Sequence, residues 1–360
     1  SYTCSAQDRS IGNPTVINSL TKTETASDWT SPKDGRFRLK RYYRSDNKIV
    51  GQHHLQSNLR WFGGVWAGEY NAFLTTGYAN NLGSSSPDYV FNRGDGFSFL
   101  FDGLTSSVPL FPEKSYELSV DDIGRPIVEN LKGTRWTFQD TVDDQKALEK
   151  IDWPDGYSIT FQRDSSGNVT QFEDNRGQRA KLTWVENTYS LDIGPVPLVS
   201  KVEVDPEVGS SGFSPSVELT YVYGEVPSDG TIAQLETVHI TDVTLATSEL
   251  QHEYEYAASL ASPPLTVIRD GRSKPDGSDF PYAEFEYEVT PGSVGSGTKV
   301  VSTQHYGGAE RHEFNQVSDV LTEVTGPLGK VSKYNYRTPV IAASVNGQTV
   351  RIRECPIFCV

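Results

Sequence analysis

Asp155-Gly156-Tyr157-Ser158-Ile159-Thr160-Phe161 opens on two turn residues and then alternates apolar and polar side chains. The Asp-Gly pair supplies the positive φ of a tight turn. Tyr157, Ile159 and Phe161 then fall on one face of an extended chain, with Ser158 and Thr160 on the other. The phrase returns as Arg176-Gly177-Gln178-Arg179-Ala180-Lys181-Leu182-Thr183-Trp184, a step of 21 residues from Gly156 to Gly177. The same step of 21 separates Gly308-Ala309-Glu310-Arg311-His312-Glu313-Phe314 from Gly329-Lys330-Val331-Ser332-Lys333-Tyr334. A looser copy, Gly133-Thr134-Arg135-Trp136-Thr137-Phe138, lies 23 residues ahead of Gly156. Two strands and two turns fill such a unit. One two-stranded ribbon is marginal in water, so the units are expected to pair edge to edge. The fold class read from this is all-β, a repetitive strip of antiparallel hairpins with Gly133, Gly156, Gly177, Gly308 and Gly329 at turns.

Other segments carry related signals. Asp121-Asp122-Ile123-Gly124-Arg125 and Asp164-Ser165-Ser166-Gly167-Asn168 are turns of the same chemistry. Val217–Tyr223, His252–Tyr256 and Ala283–Glu288 alternate cleanly, set among Pro-, Gly- and Ser-rich loops. Only Val142–Glu149 offers a helical winding, and it also reads as a turn. No apolar run approaches the roughly 20 residues that a membrane-spanning helix needs.

These residues resemble the RHS or YD-repeat family. The carriers are Asp121 to Val128 followed by Gly133, Trp136 and Phe138, then Asp164–Val169, Asp174–Gln178, and Gly326–Gly329 leading to Tyr334-Asn335-Tyr336. In the N-terminal third, Gly12-Asn13-Pro14, Glu24-Thr25, Phe37–Ser45, Gly64-Val65-Trp66 and Arg93–Phe97 stand in the family's order. The resemblance covers residues 12–185 well and 300–337 moderately, and it thins between 186 and 300. It implies a strip of repeats that winds into a hollow shell around a C-terminal toxin. The chain departs from that pattern in being short for a closed shell and in lacking the Asp-containing motif that ends the core. It is therefore read as a fragment or a short free-standing member.

Four segments follow from this reading. Residues 1–45 form an N-terminal cap, plug-like in role, and 46–120 an irregular RHS-like β region. Residues 121–337 hold the YD-like hairpins, with loop insertions at 186–300. Residues 338–360 form a C-terminal strand and a cysteine-containing tail, in which Gln348–Glu354 alternates and is expected to add to a sheet edge.

The net charge of −15 argues against nucleic acid and anionic membranes as partners. Arg36–Arg44 interleaves basic and aromatic residues. Such a pattern can stack on a polyanion, but the overall charge favours an amphipathic strand with alternate Arg side chains in water or along a repeat edge. The chain has no Met at all and starts at Ser1. Both features point to a processed or excerpted chain and to a secreted or surface protein. Cys4, Cys355 and Cys359 are three, so one disulfide among them leaves a thiol over for an intermolecular bridge or a buried site.

No catalytic constellation emerges. His53 and His54 are neighbours and would face opposite sides of a strand. His305 and His312 sit within a repeat copy and read as sheet residues. Asp121-Asp122 and Asp143-Asp144 pair in sequence only. No cofactor is expected; Asp-rich turns could hold calcium but lack a ligand loop. Trp61, Trp66 and Tyr70 are the rings a glycan could stack on if exposed, and interior packing is the favoured alternative. The leading function is thus a non-enzymatic extracellular module that encloses, presents or self-assembles, partnered by its own copies or a larger RHS-type assembly. A carbohydrate-binding module and a secreted polysaccharide-active enzyme are the alternatives.

Overall fold

The computed structural model describes residues 10–11, 15–16, 20–45, 61–63, 65–76, 89–95, 98–101, 116–140, 146–190, 194–207, 212–224, 233–257, 264–273, 279–289, 298–318, 321–337, 340–345, 348–353 and 357–359. It is all-β, an open antiparallel strip with no helix among the described residues. Consecutive strands pair with their sequence neighbours from Tyr116–Val120 to Val331–Arg337, and Ile357–Cys359 adds to that last strand. A smaller meander, Phe73–Thr76, Tyr89–Asn92 and Ser98–Phe101, joins the strip where Phe73 and Leu74 pair with Ala147 and Lys146. The stretch with helical character is strand from Lys146 onward.

A meander puts its turns alternately on two edges. Counted through the strands, Gly133, Gly156, Gly177, Gly308 and Gly329 all fall on one edge, here edge A. The 21-residue step is therefore one strand up and one strand down. All five have positive φ, from 73° to 113°. The turns at Gly124, Gly133, Gly156, Gly167, Gly177 and Gly329 share one backbone closure, and four of them add a side-chain acceptor at the first turn residue. In Asp174–Gln178 the Gly177 N–H donates to Asp174 O and the Asp174 N–H to Gln178 O, while Asp174 Oδ1 accepts from the Arg176 and Gln178 amides. Asn130 does the same on edge A, and Asp121 and Asp164 on edge B. A carboxylate or amide at the first turn residue and a left-handed Gly three places later are thus one device.

One face of the strip is apolar. Partners across the ladder include Ile151 and Ile159, Phe161 and Phe172, Phe172 and Ala180, Leu182 and Val202, Val202 and Leu219, Tyr221 and Val238, and Tyr254 and Ile268. All are buried. What covers them is the N-terminal sheet: Thr21–Thr30, Arg38–Arg44 and Trp66–Gly68.

A second period is invisible in the sequence. From Arg135 onward each hairpin that turns on edge B carries a bulge: 135–152, 158–174, 179–205, 217–242, 247–273, 279–305 and 309–325. In four successive hairpins the residue beside the bulge is aromatic and donates to a backbone carbonyl of an adjoining strand. Trp184 Nε1 reaches Val169 O at 2.8 Å, and Tyr223, Tyr256 and Tyr287 hydroxyls reach Val199, Leu235 and Leu265 carbonyls at 2.7 Å each. Bulges bend a sheet and sharpen its twist. The edge-A hairpins 235–256, 265–289 and 298–318 carry further bulges, and together they bend the strip over the N-terminal sheet. The span 194–289, where the resemblance thins, therefore continues the same structural repeat with longer loops.

At the C-terminus, Gln348–Arg353 pairs with Val340–Val345 in a separate hairpin. The segment that joins the strip edge is Ile357–Cys359. Cys4, Cys355, His53, His54, Asp143 and Asp144 lie outside the described residues, as does the Cys359 side chain.

Candidate functional site

The most heavily built polar feature is the seam between the N-terminal hairpin and the inner face of the strip. The hairpin runs across the strands. Leu20 packs on Val300, Phe314 and Val324, and its carbonyl accepts from the Val300 amide. Lys22 Nζ lies 4.5 Å over the Phe285 ring and donates to Glu24 at 2.7 Å. The turn after the first strand, Ser31–Arg36, reaches edge A. There Arg36 pairs with Asp34 through Nε and Nη2 and donates from Nη1 to both Asp155 oxygens at 2.8 and 2.9 Å, Arg176 donates to Asp34, Lys33 donates to Pro206 O, and Ser31 donates to buried Gln178.

The centre of the seam is a buried ion pair. A bulge in Thr21–Thr30 leaves Asp28 without a register partner, and its carboxylate meets Arg41 on the neighbouring strand. Arg41 donates to Asp28 from Nε at 2.6 Å and Nη2 at 2.7 Å, and both side chains are fully buried. The strip supplies the other partners. Arg41 Nη2 donates to the Tyr254 hydroxyl at 2.8 Å, and the Tyr221 hydroxyl donates to Asp28 at 3.0 Å. Phe62, Trp66, Tyr221 and Tyr254 ring the guanidinium, their centroids 4.8 to 5.8 Å away. Gln251 is the extra residue of a second bulge, on the strip, and it donates to the Asp28 carbonyl at 3.0 Å. Two bulges thus meet face to face.

Electrostatics follow from the burial. Burial opposes the Arg41 charge, yet Asp28 and the Tyr254 and Tyr221 oxygens outweigh it and hold the guanidinium above its ordinary range. Burial pushes the Tyr221, Tyr254 and Tyr256 phenols up, so each stays protonated. Burial pulls Lys22 down, against the pull of Glu24. Such a cluster locks geometry and excludes solvent; it presents no open face to a substrate.

Trp61, Trp66 and Tyr70 are 2 %, 1 % and 4 % exposed, so none of the three presents a ring at the surface of this chain. Trp61 meets Trp184 edge to face, Trp66 packs on Tyr254 and donates to the Tyr256 hydroxyl, and Tyr70 packs on Phe161 and Phe172. They are the hairpin side of the seam because the strip's inner rings need an apolar cover. The Arg36–Arg44 reading changes. Alternate Arg side chains were expected in water or on a repeat edge, whereas Arg41 is fully buried because Asp28 neutralises it. His305 Nδ1 lies 3.1 Å from Tyr282 O, and His312 is half-buried with Nδ1 2.8 Å from Glu310 O. Among the described residues no group of three His, Cys, Asp or Glu is placed to hold a metal ion. Asp28, Gln251 and His252 were missed, because a bulge has no residue signature.

No protein-family model matches the chain, and no curated protein matches it. Among solved structures it is similar to TcdB2-TccC3, with 10 % identity and a TM-score of 0.38 over 98 % of this chain and 22 % of that one. TcdB2-TccC3 without its hypervariable C-terminal region gives 10 % identity and a TM-score of 0.39 over 97 % and 21 %. A porin-like protein from Bacteroides uniformis gives 7 % identity and a TM-score of 0.30 over 73 % and 93 %. The chain spans about a fifth of the length of the TcdB2-TccC3 chains.

Proposed function

We propose that this chain is a structural module of the RHS/YD type, a β-sheet strip that wraps its own N-terminal hairpin and acts by enclosing and presenting. The observation that carries the reading is the ion pair of Asp28 and Arg41, closed by Tyr221 and Tyr254 of the strip. A fully buried pair with partners from both sides is expensive to desolvate, and it fixes one arrangement of hairpin on strip. The role is that of a scaffold, in a secreted or surface setting, with further copies or a larger RHS-type assembly as partner. The carbohydrate alternative loses its platform, since its three rings are interior.

Hydrogen exchange at neutral pH, with sedimentation velocity under oxidising and reducing conditions, tests this. Residues 21–44 should be protected as strongly as strands 158–174. Fast exchange of 21–44 with the strip protected would overturn the wrapped arrangement. A larger species lost on reduction would support assembly through a cysteine; a monomer in both conditions would remove the assembly role.

A further inference from the structure

Beside the ion pair the seam also holds an imidazole, that of His252. His252 follows the bulge residue Gln251 and stacks on Tyr254, ring centroids 5.9 Å apart at 26°. Tyr254 in turn accepts from Arg41. His252 Nδ1 and Arg41 Nη1 are both buried and make no hydrogen bond. A neutral imidazole fits this place. An imidazolium would set a second cation beside Arg41, whose carboxylate partner is already engaged by Arg41 twice and by Tyr221.

We propose that His252 makes the seating of the N-terminal hairpin acid-sensitive, so that its protonation loosens Thr21–Thr30 and Arg38–Arg44 from the strip while the strip's own ladder persists. This rests on the wrapped arrangement argued above. The charged groups around the imidazole come from several elements. From the hairpin, Arg41 opposes the extra proton, and Asp28 and Glu24 favour it; Glu24 is already paired to Lys22. From Leu265–Ser273, Asp270 is the register partner of His252 and favours the proton. On the other side the register partner is Val238, which does not titrate. Burial, then Arg41, prevails over the three carboxylates and holds the imidazole below its ordinary value. The sign follows. A His with a lowered folded pKa contributes stability that is complete above about pH 6.5 and is lost as the pH falls through the folded value.

The selectivity comes from position. His252 lies at the seam, whereas His305 packs against Tyr282 and Tyr306 at edge A and half-buried His312 is the register partner of Thr303 on the neighbouring strand. Charging either of those puts no cation beside the buried pair. Loss of seating would free the hairpin backbone and bare the apolar inner face, which is a usable trigger for a module that encloses and presents.

The test is hydrogen exchange at pH 7.5 and pH 5.0 on the full chain, corrected for the pH dependence of intrinsic exchange. Peptides from 21–44 should lose about tenfold in protection at pH 5.0 while strands 158–174 keep theirs. His252→Phe keeps a ring against Tyr254 and cannot be protonated; His252→Gln is the smaller control. Both should hold protection of 21–44 within about twofold across that range. His305→Gln should behave like the parent chain. An equal loss in both His252 variants and the parent, or no loss in the parent, overturns the proposal. Unprotected 21–44 at pH 7.5 in the parent overturns the wrapped arrangement itself, a separate result.

Discussion

Residues 116–190 and 194–289 are built on one strand ladder, yet only the first announces itself in the sequence. In the first region the five turns at Gly124, Gly133, Gly156, Gly167 and Gly177 are short, each has a left-handed Gly and all but the one at Trp153 start on Asp or Asn, so the edge-A glycines keep a step of 23 and then 21. In the second the connections run longer, as between Asp205 and Val217 or Tyr223 and Leu235, and the constant step disappears. What persists is the bulge and the aromatic beside it: Trp184, Tyr223, Tyr256 and Tyr287, each tied to a neighbouring carbonyl. A sequence period measures loop length as well as structure. The structural unit is the bulged hairpin, and its loops are free to grow because they lie at the edges, away from the packed face.

The N-terminal hairpin touches both regions, and the two contacts differ in kind. On the first, Arg36 pairs with Asp155, whose side chain is 57 % exposed. On the second, Arg41 and Asp28 are wholly buried. Breaking a buried pair leaves an uncompensated charge, so Arg41→Met is expected to cost about 3–5 kcal/mol in urea unfolding. Arg36→Met should cost about 1 kcal/mol, as an exposed pair contributes little and the loss is mostly of its packing on Tyr157. Equal losses would mean that the hairpin is held by its edge-A turn rather than by the seam, and the contrast between the regions would fail.

The aromatic ties of the second region come next in size. The Tyr256 hydroxyl accepts from Trp66 Nε1 at 2.9 Å and donates to Leu235 O at 2.7 Å. Tyr256→Phe removes both while keeping the ring, which is expected to lower stability by about 2 kcal/mol on thermal or urea unfolding. Tyr306→Phe alters a ring at an edge-A turn that is 45 % exposed, and should change stability by less than about 0.5 kcal/mol. If Tyr256→Phe were as mild, the ties would be ornamental and the bulge alone would define the repeat.

How far the sequence reached follows from the same physics. Turn chemistry is local: Asp174 and Gly177 carry their conformational preference with them, so the turns of 116–190 and the all-β strip could be read directly. Alternation also marked Tyr221, Tyr254 and Phe285 as residues of clear strands. That their apolar faces would close on Asp28, Arg41 and Lys22 was not readable, because a bulge shifts register by one residue without altering composition. Arg41 reads as a solvated strand residue, since its carboxylate partner is 13 residues away across a hairpin and its other hydrogen-bond partner, Tyr254, is 213 residues away. Trp61, Trp66 and Tyr70 could be seen as a cluster, but whether the rings face water depends on the strip that covers them.

The smallest effect sharpens the comparison at the turns themselves. Gly156 has φ of +82°, and a Cβ added there would meet nothing within 4 Å. Gly156→Ala therefore probes conformation alone, and a left-handed residue bearing a Cβ costs about 1–2 kcal/mol. Gly156→Asn should recover part of that loss, because Asn tolerates the left-handed region. Gly212 stands in a long connection of the second region, also with open space around it but without a positive φ. Gly212→Ala should change stability by less than about 0.5 kcal/mol. Thermal unfolding of the three variants decides the matter. A Gly156→Ala loss no greater than that of Gly212→Ala would show that the glycine step is a matter of composition, not of turn geometry, and the legible region would then owe its regularity to the bulged hairpin as fully as the other does.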